Sequence, residues 1–310
     1  MVYLVLTCAL ACLTVKGFCG KKASTYAKSS ADVALFNLVR LALCFLISAA
    51  LLCLFGVGVV LPTFPFLLIA LLSGCANAAF LVGWMIAVQK NTIVAVDVTL
   101  TLGSLIPALL CALFFGEIIS ASKMLGFALI LFASLILSTK NRKTSPRGVG
   151  SLFFLCFAVV GDGMIGFSQQ LFKQFYTPNG VYAQGVYYQD EVFHFYTYLF
   201  AAVFLLFLWL LVCKRGERFA GTTERKTSTA LLQALPYIFT MAVCLFLAND
   251  LQLRASAEYG MPTQILYPII RGGCLITANV TALFFGEHFT ARTALGTFIA
   301  LCGILLMNLL

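Results

Sequence analysis

Two ionisable residues lie deep within apolar stretches of the sequence, where a charge is expensive. Asp162 stands in a Gly-Asp-Gly triplet and Arg271 in an Arg-Gly-Gly triplet. In hydrocarbon an ionisable side chain costs at least about 2.5 kcal/mol unless it faces a cavity or a partner. The neighbouring glycines allow a ligand or another backbone to approach closely. We therefore expect Asp162 and Arg271 to neutralise each other, to contact a substrate, or to do both through a salt bridge that opens to an anion.

Further polar residues share helix faces, because residues three, four or seven positions apart lie on one side of a helix. Four of them are expected to face one internal cavity, namely Asp97, Asp162, Asn249 and Arg271. Trp84 is expected to stack on a planar substrate or to pack in the interior. The predicted substrate-binding residues are Asn77, Trp84, Asp97, Asp162, Gln169, Asn249, Gln264, Tyr267 and Arg271.

Two other polar features have alternative interpretations. Arg40 lies only about a turn and a half inside its apolar segment, so its side chain is expected to reach the membrane surface rather than stay buried. Residues 189–194 contain two acids and His194. They form either a polar gate at the rim or a helix start exposed to water. Asp250 and Arg254 are spaced as an i,i+4 ion pair.

The elements that position these residues are long apolar segments. The chain of 310 residues is 62% hydrophobic and 10% charged, with a mean hydropathy of +1.01. A membrane-spanning helix needs about 20 mostly apolar residues. Ten stretches meet this length, and they are residues 2–20, 33–55, 62–88, 92–115, 120–139, 149–172, 189–213, 229–250, 261–285 and 291–310. Such uniform runs predict an all-α integral membrane protein with ten spans.

Cysteine and histidine usage gives no sign of a cofactor or metal. The twelve cysteines lie in or at the ends of apolar segments and form no Cys-x-x-Cys pair. Buried thiols behave as small hydrophobic groups. With two histidines in the chain, a zinc site is not expected.

The net charge of +9 reflects residues that orient the protein rather than a nucleic-acid interface. Of the twenty Lys and Arg residues, fifteen (Lys16 among them) are assigned to odd-numbered loops and three to even-numbered loops. Positive residues favour the cytoplasmic side. The sequence thus predicts cytoplasmic odd-numbered loops and both termini outside.

An internal repeat predicts the domain organisation. Ala-Leu-Phe-Phe-Gly-Glu occurs at residues 112–117 and again at residues 282–287. We expect a first five-span unit at 1–139, a basic linker at 140–149 and a second five-span unit at 150–310. An odd number of spans per unit makes the second unit enter the membrane from the opposite side. Glu117 and Glu287 are interpreted either as proton-coupling carboxylates or as part of a turn allowed by the preceding glycine.

The chain resembles the drug/metabolite transporter superfamily, specifically its EamA-type members of ten spans. The resemblance is carried by the two Leu-Phe-Phe-Gly-Glu span ends, by Pro-Ala-Leu-Leu at Pro107 with a counterpart near Pro268, and by glycine-rich fifth and tenth spans. It implies two inverted five-helix repeats and a transport function. It also implies cytoplasmic termini, which is opposite to the charge count.

These observations predict a secondary transporter for a small polar metabolite or drug-like solute, working by alternating access with proton coupling or by exchange. Arg271 would attract a carboxylate or phosphate, and Asp162 or Asp97 would carry the proton. A lipid-carrier flippase of the same fold is the alternative. An intramembrane enzyme is disfavoured, since the chain lacks a Gly-x-Ser-x-Gly elbow. We expect a monomer or homodimer in a bacterial plasma membrane, with the solute, lipid and protons as partners and no nucleic acid.

Overall fold

A computed structural model describes residues 1–55, 62–116, 120–138, 149–176, 189–216, 224–259, 261, 263–286 and 290–309. Within these ranges the chain is all α-helical. The helices are α1 Val2–Ser24, α2 Ser30–Leu54, α3 Phe64–Lys90, α4 Ile93–Leu100, α5 Leu105–Phe115, α6 Ala121–Ser138, α7 Val149–Tyr176, α8 Gln189–Gly216, α9 Glu224–Ala257, α10 Thr263–Phe284 and α11 Ala291–Leu309.

Within the described residues the structure has the predicted ten helical units. A 3₁₀ segment, Thr101–Ser104, joins α4 to α5, so that residues 93–115 form one interrupted span and the helices make ten units. Eight of these units are long and apolar enough to cross a membrane, whereas the described apolar parts of α6 and α11 are shorter. The predicted linker at 140–149 falls almost entirely outside the described residues.

The interruption of the fourth span has a local cause. The hydroxyl group of Thr101 donates to the carbonyl of Val98, and that of Ser104 donates to the carbonyl of Thr101 at 2.7 Å. Such hydroxyl groups compete with the regular ladder of helix hydrogen bonds. The tighter 3₁₀ turn follows, and it brings Gly103 against α7.

The sides of the bundle can be named from contacts between helix ends. Leu6, near the start of α1, shares a cluster with Ala255 and Leu266, so the start of α1, the end of α9 and the start of α10 lie on one side, here called the terminal face. Gln89, near the end of α3, donates to the carbonyl of Ser24 at 2.9 Å. The ends of α1 and α3 therefore lie on the other side, called the opposite face.

Close helix packing depends on glycine at a few contacts. A methyl group added at Gly83 would lie 2.7 Å from the carbonyl oxygen of Phe154, and one at Gly161 would lie 2.6 Å from the backbone nitrogen of Phe80. Both positions hold α3 against α7. Gly303 of α11 approaches the carbonyl oxygen of Gly126 in the same way, which packs α6 against α11.

The two copies of the repeated motif end their helices alike. Gly116 and Gly286 each adopt a left-handed backbone conformation with φ of 68°. Glycine takes this conformation without steric cost. The glutamates that follow, Glu117 and Glu287, lie outside the described residues, so both interpretations of them stay predictions.

The outer surface of the helices is apolar, and this identifies the surroundings of the protein. Large hydrophobic side chains are exposed along several helices, among them Met124, Leu125, Phe132, Leu135, Val203, Phe207 and Leu210. Exposed apolar area on this scale is typical of contact with lipid. Together with the eight long apolar helices, it makes the chain a multi-pass integral membrane protein in contact with the bilayer.

Candidate functional site

A cavity of about 40 Å³, lined by both charged and apolar side chains, lies between α1, α3, α4 and α10. This volume holds about three water molecules, at about 10–15 Å³ each. The lining residues lie near the middle of these helices or in the halves nearer the opposite face, and they are Leu13, Thr14, Lys16, Gly17, Phe80, Trp84, Ile93, Asp97, Leu100, Arg271, Cys274, Thr277, Ala278 and Thr281. The cavity therefore lies off-centre, towards the opposite face.

Two cations share one aromatic ring on the cavity wall. The ammonium group of Lys16 lies 5.2 Å from the centroid of Phe80, and the guanidinium carbon of Arg271 lies 5.9 Å from it. The negative face of an aromatic ring attracts cations at such distances. The ring thus holds two positive charges beside the cavity without neutralising either of them.

Arg271 also forms an ion pair with Asp162 of α7. The Asp162 side chain is buried and that of Arg271 is 16% exposed, so the pair is largely removed from water. The glycines around Asp162 serve close packing: a methyl group at Gly103 would lie 2.7 Å from the Asp162 carboxylate, and one at Gly163 would meet Ile106. The expected mutual neutralisation is therefore present, and Arg271 still lines the cavity.

Below this ion pair, polar contacts join α7 to α10 in the direction of the terminal face. The hydroxyl group of Tyr267 donates to the side-chain oxygen of Gln169 and lies 3.5 Å from the carbonyl oxygen of Gly166. The ammonium group of Lys173 lies 3.5 Å from the carbonyl oxygen of Met261. Residues 162, 166, 169 and 173 share one face of α7. These contacts hold α7 and α10 together between the ion pair and the terminal face.

The structure brings together some of the predicted site residues and separates others. Asp97, Trp84 and Arg271 line the cavity, and Asp162 reaches it through its ion pair. Asn249 is not among the residues that line this cavity, and its amide donates to the hydroxyl of Tyr198 at 3.0 Å. That part of the prediction is wrong, since the partner on α8 could not be inferred from spacing along α9.

Asn77 and Gln264 complete the predicted set. Asn77 is buried in α3, where its amide nitrogen donates to the carbonyl oxygen of Ser73 at 2.9 Å, and it lies outside the cavity lining. Gln264 belongs to the first turn of α10. Its side chain lies outside the described residues.

Arg40 is not at the membrane surface. Its side chain is 1% exposed, so the prediction that it reaches the surface is wrong. The reason is tertiary: α2 packs on α8 and α9, and these helices cover the residue.

The first turns of α8 are also buried rather than exposed to water. His194 lies 3.9 Å from Asp250, and Arg254 bonds both Glu191 at 3.1 Å and Asp250 at 3.0 Å. The predicted Asp250–Arg254 pair is confirmed. Because Asp190, Glu191 and His194 are all buried, the interpretation as an exposed helix start is wrong. This polar cluster ties α8 to α9 near the terminal face.

Lys16, Phe80 and the threonines of α10 are cavity residues that sequence reasoning missed. Lys16 was assigned to a loop, but α1 continues to Ser24 and places it within the helix. The depth criterion used for Asp162 would have found Lys16, since it also lies inside the first predicted span. Phe80 stands in an apolar run and gave no signal. Thr277 and Thr281 lie six and ten residues after Arg271, and these spacings do not place them on the same helix face as Arg271.

The fold, with its long apolar helices and apolar outer surface, defines a multi-pass, all-helical membrane protein. No protein-family model and no curated protein matches the sequence. Among solved structures, 22 chains are similar to this one. One of them, described only as a crystal structure of protein, is 11% identical with a TM-score of 0.66, over 99% of this chain and 96% of that chain. This similarity extends over the whole fold. It assigns no family, so the EamA-type resemblance stays a prediction.

Proposed function

We propose that the chain is a secondary transporter that moves a small anionic metabolite across the membrane by alternating access. The observation that carries this proposal is a cavity with Lys16 and Arg271 on its wall, off-centre towards one face, with polar α7–α10 contacts between Arg271 and the other face. An access path from one face to a buried polar site is what alternating access requires.

Helix packing supports the inverted repeat on which this mechanism depends. In the predicted repeat, α1 corresponds to α7, α3 to α9, and the interrupted fourth span to α10. The contact of α3 with α7 then corresponds to that of α9 with α1, and both are among the main helix contacts. The two matching left-handed glycines support the same pairing.

The repeat also suggests how the site changes sides. The pair formed by α7 and α10 is joined by polar contacts, whereas the corresponding pair, α1 and α4, lines the cavity with Lys16 and Asp97. In the exchanged state α1 and α4 close and α7 and α10 separate. The interrupted span beside Gly103 supplies a hinge, since 3₁₀ segments within helices often mark one.

Arg271 is proposed to bind the anion when its ion pair with Asp162 opens. The freed carboxylate of Asp162 then takes up a proton, which couples transport to the proton gradient. No enzymatic activity is proposed. The membrane is proposed to be the plasma membrane of a bacterium.

The test is transport by purified protein in proteoliposomes. A panel of isotopically labelled carboxylates, amino acids and phosphates is offered with and without a pH gradient. We expect accumulation of at least one anion, a loss of about 30-fold or more in Arg271→Met, and loss of pH-driven uptake in Asp162→Asn. Arg292→Met, at the exposed start of α11, is the matched control and should transport normally. Transport of no anion, or equal transport by Arg271→Met, would overturn the proposal.

A further inference from the structure

Two pairs of phenylalanine rings mark equivalent positions in the two halves of the chain. The ring of Phe114, in the first copy of the repeated motif, lies 5.8 Å from that of Phe167 on α7. The ring of Phe284, at the same position of the second copy, lies 6.3 Å from that of Phe18 on α1. Phe18 and Phe167 each follow a glycine. The two contacts therefore support the equivalence of these two glycines.

The same register pairs Asp97 of α4 with Tyr267 of α10. Each of them lies at the same distance in sequence before its own copy of Ala-Leu-Phe-Phe-Gly-Glu. Each also lies near the start of its helix, which is at the opposite face for α4 and at the terminal face for α10. In the predicted inverted repeat, Asp97 and Gly17 thus correspond to Tyr267 and Gly166.

On the terminal-face side, the two equivalent positions are in contact. The hydroxyl oxygen of Tyr267 lies 3.5 Å from the carbonyl oxygen of Gly166. A methyl group added at Gly166 would lie 3.0 Å from the Tyr267 ring, which is tighter than nearly all contacts of such a carbon. The absence of a side chain at position 166 therefore lets α10 approach α7 this closely.

On the opposite-face side, the same two positions are apart. Gly17 and Asp97 both line the cavity. A methyl group added at Gly17 would meet no atom of the described residues within 4 Å, so the space in front of this glycine is open. One glycine of the equivalent pair is thus covered by the neighbouring helix, and the other faces the cavity.

We propose that Gly17 and Asp97 form the opposite-face gate of the transporter, and that Gly166 and Tyr267 form its terminal-face gate. In the exchanged state Asp97 lies against Gly17, while Tyr267 has left Gly166. This rests on the proposed function, because an alternating cycle requires one gate on each side of the site. The missing side chain at position 17 serves closure of the gate rather than the open state.

Asp97 closes its gate by a different contact from that of Tyr267. A phenol donates to a carbonyl oxygen, whereas an ionised carboxylate only accepts hydrogen bonds. Lys16 precedes Gly17 and lines the same cavity, so its ammonium group is the partner of the carboxylate in the closed gate. A carboxylate removed from water needs such a partner.

The first test measures disulfide formation in the detergent-purified full chain carrying Gly17→Cys and Asp97→Cys. Mass spectrometry of the digested protein identifies the linkage between positions 17 and 97 among the native cysteines. Adding Tyr267→Phe removes the hydroxyl that holds the terminal-face gate closed, and it should raise the yield of this linkage about 5-fold or more. Adding Tyr3→Phe is the matched control and should leave the yield unchanged, because Tyr3 is 73% exposed. A yield that does not respond to Tyr267→Phe, or no linkage in any variant, would overturn the proposal.

The second test uses Gly17→Ala, which the open state accommodates. Its unfolding temperature should equal or exceed that of wild type, and its apparent affinity for the solute, read from ligand stabilisation in detergent, should stay at the wild-type value. The initial rate of transport in proteoliposomes should fall about 5-fold or more, because the methyl group overpacks the closed gate. Val15→Leu, on the lipid-facing side of α1, is the matched control and should transport at the wild-type rate. Transport at that rate by Gly17→Ala would overturn the gate.

The outcomes separate the gate from the proposed function. If the 17–97 linkage responds to Tyr267→Phe while no anion is transported, the two gates are supported and the anionic solute is wrong. If an anion is transported while the linkage does not respond and Gly17→Ala transports at the wild-type rate, only the gate assignment is wrong.

Discussion

Lys16, Phe80, Asp162 and Arg271 show how single residues create a charged site inside an apolar bundle. Phe80 lies beneath two cations, and Asp162 neutralises one of them. Each interaction is modest, but in a medium of low polarity an uncompensated charge is expensive. In the proposed transport cycle the pair opens only when another anion takes the place of Asp162.

The contact between Tyr267 and Gln169 gives a prediction at this scale. Tyr267→Phe should lower the free energy of unfolding by about 1–3 kcal/mol, because the buried oxygen of Gln169 loses its donor. The measurement is thermal unfolding in detergent. Tyr3→Phe is the control, since Tyr3 is 73% exposed and should show no change. Equal effects of the two variants would contradict the assigned contact.

Helices α3 and α7 approach closely because small residues meet along their contact. This packing places Phe80 of α3 beside the glycine that precedes Asp162, so the cation-binding ring and the ion pair depend on one helix interface. Van der Waals packing of small residues is a principal source of helix association in membranes. Stability and site geometry are therefore coupled at this interface.

Gly161→Ala tests that coupling. The added methyl group would lie 2.6 Å from the backbone nitrogen of Phe80, and such overpacking typically costs about 1–3 kcal/mol. Gly17→Ala is the matched control, because nothing lies within 4 Å of its added methyl group. It should leave stability unchanged or raise it by about 0.5–1 kcal/mol, as alanine favours a helix. Similar melting temperatures for the two variants would contradict the close α3–α7 contact.

At the scale of the whole molecule, the cavity lies nearer the opposite face and clusters of polar contacts lie nearer the terminal face. The terminal-face side is held by α7–α10 contacts and, nearby, by the cluster of Arg254 with Glu191 and Asp250. If the odd-numbered loops are cytoplasmic, the cavity lies towards the cytoplasm. Orientation thus decides which state of the proposed cycle the structure represents.

The charge asymmetry predicts that both termini lie outside the cell. With Lys16 inside α1, fourteen basic residues remain assigned to the odd-numbered loops against three in the even-numbered ones. A reporter that is active only in the cytoplasm, fused after Leu310, should therefore be inactive. The control is the same reporter inserted in residues 140–148, where it should be active. An active fusion after Leu310 would reverse the orientation and agree with the family resemblance.

The helical spans could be predicted because each depends mainly on its own sequence. A segment of about 20 apolar residues must satisfy its backbone internally in lipid, and the helix does this without help from other segments. Predicted and observed helix ends agree within about four residues, except at α9, which extends from Glu224 to Ala257 in place of 229–250. Its additional turns are polar and carry Arg254, so hydropathy could not include them.

Depth in an apolar segment correctly indicated that Asp162 and Arg271 are largely removed from water, because depth is a property of the sequence. Their pairing, the second cation over Phe80, the covering of Arg40 and the position of Asn249 away from the cavity were decided only by the tertiary structure. Each depends on which helix lies beside which. Apolar helix surfaces are chemically alike, so the sequence of one helix does not by itself specify which helices pack against it. The neighbours are selected by how small residues and buried charges on different helices fit together.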